Sequence, residues 1–130
     1  MFQLPLIQVS QRNRFEPHLL FSEFIATFGL LNVIGLAGRK RIEWAPTTIA
    51  AYITSAYWFT SSTSFANPAV TFARAWTNSF CGISPDGVIP FFFSQVLGAI
   101  CAYLLLKYTI LRECRASYET SLEHANFKQD

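Results

Sequence analysis

Between residues 61 and 74 the chain reads Ser61-Ser62-Thr63-Ser64-Phe65-Ala66-Asn67-Pro68-Ala69-Val70-Thr71-Phe72-Ala73-Arg74. This stretch predicts a helix that starts abruptly and stays short. Asn67 suits the N-cap, where its side chain can satisfy an unpaired backbone N–H. Pro68 suits the first helical position, where an N–H would go unpaired in any case. Ala69, Val70, Phe72, Ala73, Ala75 and Trp76 continue an apolar helix. The pattern breaks near Cys81-Gly82 and ends before the turn cluster Ser84-Pro85-Asp86-Gly87. A helix of about 13 residues is roughly 20 Å long at 1.5 Å per residue. A hydrocarbon core is about 30 Å thick. Flanked by apolar segments, such a helix dips into a membrane and returns, with the positive end of its dipole held inside.

The composition points to a membrane. Hydrophobic residues make up 52% of the 130 and charged residues only 14%, against about 25% charged in a soluble domain. The length bounds the chain to one domain. A net charge of +2 does not suggest a nucleic-acid partner.

Three segments read as spanning helices. The first runs from about Leu19 to Gly38, carries Glu23 and Asn32 inside, and is closed by Arg39-Lys40-Arg41. The second, from about Thr47 to Ser61, is short and rich in small residues; Ala51 and Ser55 lie four apart, which suits close packing in lipid. The third runs from about Val88 to Leu111, and its Ser94, Gly98 and Ala102 form a small-residue stripe that reads as a helix contact face. Residues 1–18 read as a flexible lead-in, 19–111 as the membrane domain, and 112–130 as a polar, solvated tail. Three crossings put the two ends on opposite sides. Arg39, Lys40 and Arg41 share a side with Lys107, Arg112 and Arg115, which makes that side cytoplasmic and leaves the N-terminus outside. No cleavable signal peptide is expected at the N-terminus.

The remaining reactive residues carry no pattern. Cys81, Cys101 and Cys114 show no metal spacing and read as small core residues. His18 and His124 fall outside the apolar segments and read as surface residues. No nucleophile–base pair or metal site is visible, so neither enzyme activity nor a cofactor is expected.

The Ser61–Arg74 stretch resembles the second Asn-Pro-Ala loop of the aquaporin, or major intrinsic protein, family of membrane channels. The resemblance covers roughly residues 19–108. With one such loop and no internal repeat, the chain resembles the C-terminal half of a family member. The resemblance implies an all-α membrane fold of three transmembrane helices and one re-entrant half-helix, half of an inverted repeat. It implies that Asn67, of the Asn67-Pro68-Ala69 motif, donates to the permeating molecule, and that loop carbonyls from Thr63 to Ala66 accept from it. Glu23, in a Glu-x-x-x-Thr-Phe setting, would hydrogen-bond the loop backbone; read from the residues alone, it could instead snorkel to the interface. Val70 stands where many water channels carry arginine. With Ser64 and Ser55 it would form a wide, uncharged outer constriction, similar to that of bacterial members linked to small neutral solutes, some in arsenic-resistance settings.

The function implied is passive transport of water or small neutral solutes, glycerol-like and extending to arsenite-like, across a bacterial inner (plasma) membrane. The partners implied are the lipid bilayer and a complementary N-terminal half or further copies of the chain. The fragment alone is expected not to conduct. Two alternatives stay open at this level: a non-functional truncated fragment, and a small membrane protein acting through helix–helix interactions.

Overall fold

The computed structural model describes residues 7–40 and 42–127, and their side chains except those of residues 40 and 121–127. Arg41, the side chains of Lys40 and His124, and the two extreme ends of the expected lead-in and tail therefore lie outside the described residues. The described residues fold into four α-helices and no strands. They are α1 (Pro17–Lys40), α2 (Ala45–Phe59), α3 (Pro68–Arg74) and α4 (Pro85–Phe127), with a 3-10 turn at Ile42–Trp44 before α2. The chain is an all-α protein, and α1 and α4 are each long and apolar enough to cross a membrane. At 15 residues, α2 is roughly 22 Å long at 1.5 Å per residue, below the full thickness of a hydrocarbon core.

Helices α1 and α4 make the main contact. Ser94, Gly98 and Ala102 of α4 lie on it. The Ser94 hydroxyl donates to the Leu20 carbonyl, and Ala102 is fully buried. A Cβ added at Gly98 would stand 2.6 Å from the Phe24 carbonyl oxygen, so only glycine lets the two backbones approach this closely. Farther along, Gly35 of α1 receives the Leu106 side chain in the same way. Among the α-helices of the described residues, α2 touches only α1. There the Tyr52 hydroxyl reaches over Gly29 and donates to the Ala26 carbonyl at 3.0 Å. Ala51 and Ser55, expected to pack against a helix, are exposed on the free side of α2.

Several boundaries differ from the sequence reading. Helix α3 has 7 residues, where about 13 were expected. Its last carbonyls find partners other than a further helical turn. Ser10 N–H donates to Ala75 O at 2.9 Å, Gln8 N–H to Trp76 O at 3.1 Å, and Ile83 N–H to Arg74 O at 3.4 Å. Thr77, Asn78 and Ser79 follow, and such residues favour turns over helix. The first of these bonds come from the expected flexible lead-in. Residues 7–14 form a strap laid over the end of α3, with Ser10 and Arg14 buried. Helix α4 takes in the expected turn cluster, since Pro85 and Asp86 are also helix-start residues. It then runs to Phe127 instead of ending near Leu111, because no glycine or proline stops it and Arg115 pairs with Glu119 one turn on at 3.1 Å. The helix side chains from Leu111 to Thr120 are exposed.

The buried apolar cluster is small: Leu19, Phe65, Ala75, Ile83 and Phe91, with Leu20, Val70 and Val88 packed against it. It sits beneath the 60–67 loop. Elsewhere large apolar side chains face outward, among them Phe21, Trp58, Phe93, Leu97 and Leu104. Soluble monomers rarely leave such continuous apolar faces uncovered. Two cysteines expected in the core lie on these faces: Cys101 and Cys114 are exposed and Cys81 is half-buried, all with free thiols. The reason is that α4 packs only one stripe against its own chain.

Candidate functional site

The site is the loop from Thr60 to Asn67 and the start of α3. Its backbone is unusual. Thr63, Ser64 and Ala66 have φ of 66°, 48° and 47°, a left-handed conformation that costs a non-glycine residue of order 1–3 kcal/mol. Such a loop persists only where its surroundings over-determine it, and here they do.

Glu23 supplies the principal hold. Its side chain is 0% exposed. Oε1 accepts from the Phe65 N–H and Oε2 from the Ala66 N–H, both at 2.9 Å. A third donor comes from α4, where Gln95 Nε2 donates to Glu23 Oε2 at 2.8 Å. A carboxylate buried without partners would be very costly; three donors compensate it. The carboxylate thus turns inward to the loop and does not snorkel to an interface.

Gln95 is the residue that sequence reasoning missed here. It is 1% exposed, and the same amide nitrogen donates to Thr71 Oγ1 at 2.8 Å. Thr71 Oγ1 donates in turn to the Asn67 carbonyl at 3.1 Å. One line of hydrogen bonds therefore runs from α1 through α4 and α3 to the first residue of the motif. The signal was available: a glutamine inside an apolar spanning segment is as conspicuous as a glutamate.

Arg14 holds the other side of the loop. Its Nη1 donates to Ser62 O at 2.9 Å, Nε to Gly82 O at 2.9 Å, and Nη2 to Phe80 O at 3.1 Å. The guanidinium carbon lies 5.4 Å from the Phe65 ring centre. Arg74, from the last turn of α3, covers the same ring at 4.4 Å. Burial lowers the Arg14 pKa from its ordinary value, and the charges of Arg12 and Arg74 push the same way. Within the loop, Thr60 Oγ1 and Ser64 Oγ lie 2.5 Å apart, and Ser62 Oγ accepts from Ser64 N–H at 3.3 Å.

The motif itself faces outward. Asn67, Pro68 and Ala69 are exposed. Asn67 Oδ1 caps α3 by accepting from the Ala69 N–H at 2.9 Å, which leaves its amide hydrogens for another acceptor. No hydrogen bond from the described residues reaches the carbonyls of residues 63–66. Of the three residues expected at a constriction, Ser64 is buried in the loop, and Val70 is half-buried against the core cluster. Ser55 is exposed on α2, its hydroxyl donating to Ala51 O at 2.9 Å. Helices α2 and α3, which carry Ser55 and Val70, make no contact with each other among the described residues.

The model of the major intrinsic protein family matches residues 18–129. The chain is also similar to an aquaglyceroporin, AqpS, of Rhizobium meliloti (strain 1021), at 44% identity over 110 residues. That match covers 85% of this chain but 47% of the relative, so the chain spans about half the length of the protein it resembles. No solved structure matches it. The matched family and the apolar helices identify an integral membrane protein, and the chain belongs to the major intrinsic protein family.

Proposed function

We propose that this chain is the C-terminal half of an aquaporin-type channel, passing water and small neutral solutes once a complementary half, or further copies, closes the pore. The observation that carries the reading is the pair of 2.9 Å bonds from the Phe65 and Ala66 N–H groups to the buried Glu23 carboxylate. They spend the loop's donors inward. Its carbonyls and the Asn67 amide stay available on the open side. Irregular backbone at membrane depth is tolerated where it lines a cavity. A line of carbonyl acceptors beside one amide donor suits hydroxylated, uncharged solutes. The similarity to an aquaglyceroporin supports the same solute class, and neutral arsenic hydroxides share its chemistry.

In this reading Asn67, Pro68 and Ala69 form the mid-membrane motif, Glu23 its support, and Val70, Ser64 and Ser55 the outer constriction. Helix α2 makes a third crossing. The end bearing Arg39, Lys107, Arg112 and Arg115 is cytoplasmic by the positive-inside rule, and the membrane is the bacterial inner membrane. Conduction is passive and needs no cofactor.

Alone, the chain would turn its polar open face to lipid, so it conducts nothing. Purified chain in liposomes, followed by light scattering under an osmotic gradient, should shrink no faster than empty vesicles. Co-reconstitution with a complementary half bearing its own Asn-Pro-Ala loop should restore flux. Rapid shrinkage with the chain alone would instead mean a pore built from copies of itself, and no flux in either arrangement would sink the channel reading.

A further inference from the structure

Fixed positive charge near the path adds to the cation exclusion that a half-helix dipole provides, and Val70 supplies none. The chain gathers that charge elsewhere. Arg14 is 4% exposed and anchored to three carbonyls, Ser62, Phe80 and Gly82. Arg74 lies over the same Phe65 ring as Arg14, and its Nη1 is buried with no hydrogen-bond partner. Neither pairs with a carboxylate among the described residues. The one carboxylate buried with them, Glu23, is taken by three loop and helix donors. Two guanidinium charges therefore stand against one carboxylate around the loop.

We propose that Arg14 and Arg74, placed behind the 60–67 loop, are the charge-selecting residues of the assembled pore. This rests on the channel reading above. Their placement separates two properties that a single arginine in the lumen would join. Positive charge acts through the loop, while no guanidinium narrows the opening. The result is a wide path for neutral hydroxylated solutes that stays closed to cations. As a general scale, a unit charge about 12 Å from a monovalent cation changes its partition about tenfold at an effective dielectric constant of about 20.

The test uses vesicles carrying the full chain with a complementary half. Glycerol entry is followed by light scattering and sodium entry by a trapped sodium-sensitive dye. The parent should pass glycerol and admit sodium no faster than empty vesicles. Arg74→Gln, which removes a group that packs on the Phe65 ring with no hydrogen-bond partner for Nη1 among the described residues, should raise sodium entry about tenfold, with glycerol flux within twofold of the parent. The double variant Arg14→Gln/Arg74→Gln should raise it further. Arg14→Lys keeps the charge and should stay tight. Variants that keep parental glycerol flux without admitting sodium would overturn the proposal. So would an Arg14→Lys that leaks as much as Arg14→Gln, since that would trace the effect to loop geometry. If Arg14→Gln does not fold, Arg74→Gln alone decides. A parent assembly that passes no glycerol would overturn the channel reading itself, and this inference with it.

Discussion

At the scale of single residues, the Glu23 carboxylate and the Gln95 amide do different work. Glu23 takes two backbone N–H groups that have no other partner among the described residues. Gln95 ties that carboxylate to Thr71 and so to α3. Glu23→Gln keeps an acceptor oxygen and should retain much of the fold. Glu23→Leu leaves both loop donors buried and unpaired, at about 1–3 kcal/mol per group. Thermal unfolding in detergent should show the larger drop for Glu23→Leu; equal melting of both variants and the parent would remove Glu23's supporting role. Gln95→Leu should fall between the two, because it removes one of the two donors to Glu23 Oε2 and the donor to Thr71 Oγ1 but leaves the loop N–H groups satisfied.

At the scale of elements, the glycines of the two long helices separate contact from propensity. A side chain at Gly98 would press on the Phe24 carbonyl and the Thr27 side chain across the α1–α4 contact. Gly98→Ala should therefore destabilise by about 1–3 kcal/mol, the usual cost of overpacking. A Cβ at Gly38, near the end of α1, meets nothing within 4 Å. Gly38→Ala should be neutral or stabilise by up to about 1 kcal/mol, through helix propensity alone. The same melting assay checks both, and only Gly98→Ala is expected to lower the melting temperature. The extension of α4 is held less firmly. Its Arg115–Glu119 pair is exposed, and Arg39–Glu113, at 2.6 Å, joins it to α1 only at a largely exposed site. Glu119→Ala should change stability by less than about 0.5 kcal/mol.

At the scale of the whole molecule, the free face matters more than the core. The motif, Ala51 and Ser55 of α2 and much of α4 are exposed. Val70 sits at the edge between the two regions, half-buried against the apolar cluster. An arginine there could not stay in that cluster, so Val70→Arg should turn its guanidinium to the open side. In a completed pore this should cut glycerol and arsenite flux more than water flux, since guanidinium adds bulk, charge and five donors. Parallel measurements of solute entry and osmotic shrinkage check this; unchanged ratios would show that residue 70 does not set the opening.

The sequence alone determined what depends on neighbours along the chain. Asn67-Pro68 starts a helix because capping and the missing proline N–H act within one turn. The lengths and polarity of the apolar segments made α1 and α4 readable as spanning helices. The small-residue spacing marked the face on which they meet. A carboxylate in an apolar helix singled out Glu23, because burying it alone is so costly. Tertiary structure decided what depends on distant partners. The end of α3 is set by carbonyls that Gln8 and Ser10 reach from far along the chain, so local pattern overstated its length. Arg14 fell within the expected flexible lead-in because the carbonyls that hold it, Ser62, Phe80 and Gly82, come close only on folding. Gln95 joins two elements that its own segment does not contain. Local rules set where helices begin, while long-range hydrogen bonds set where they stop and which buried charges are held together.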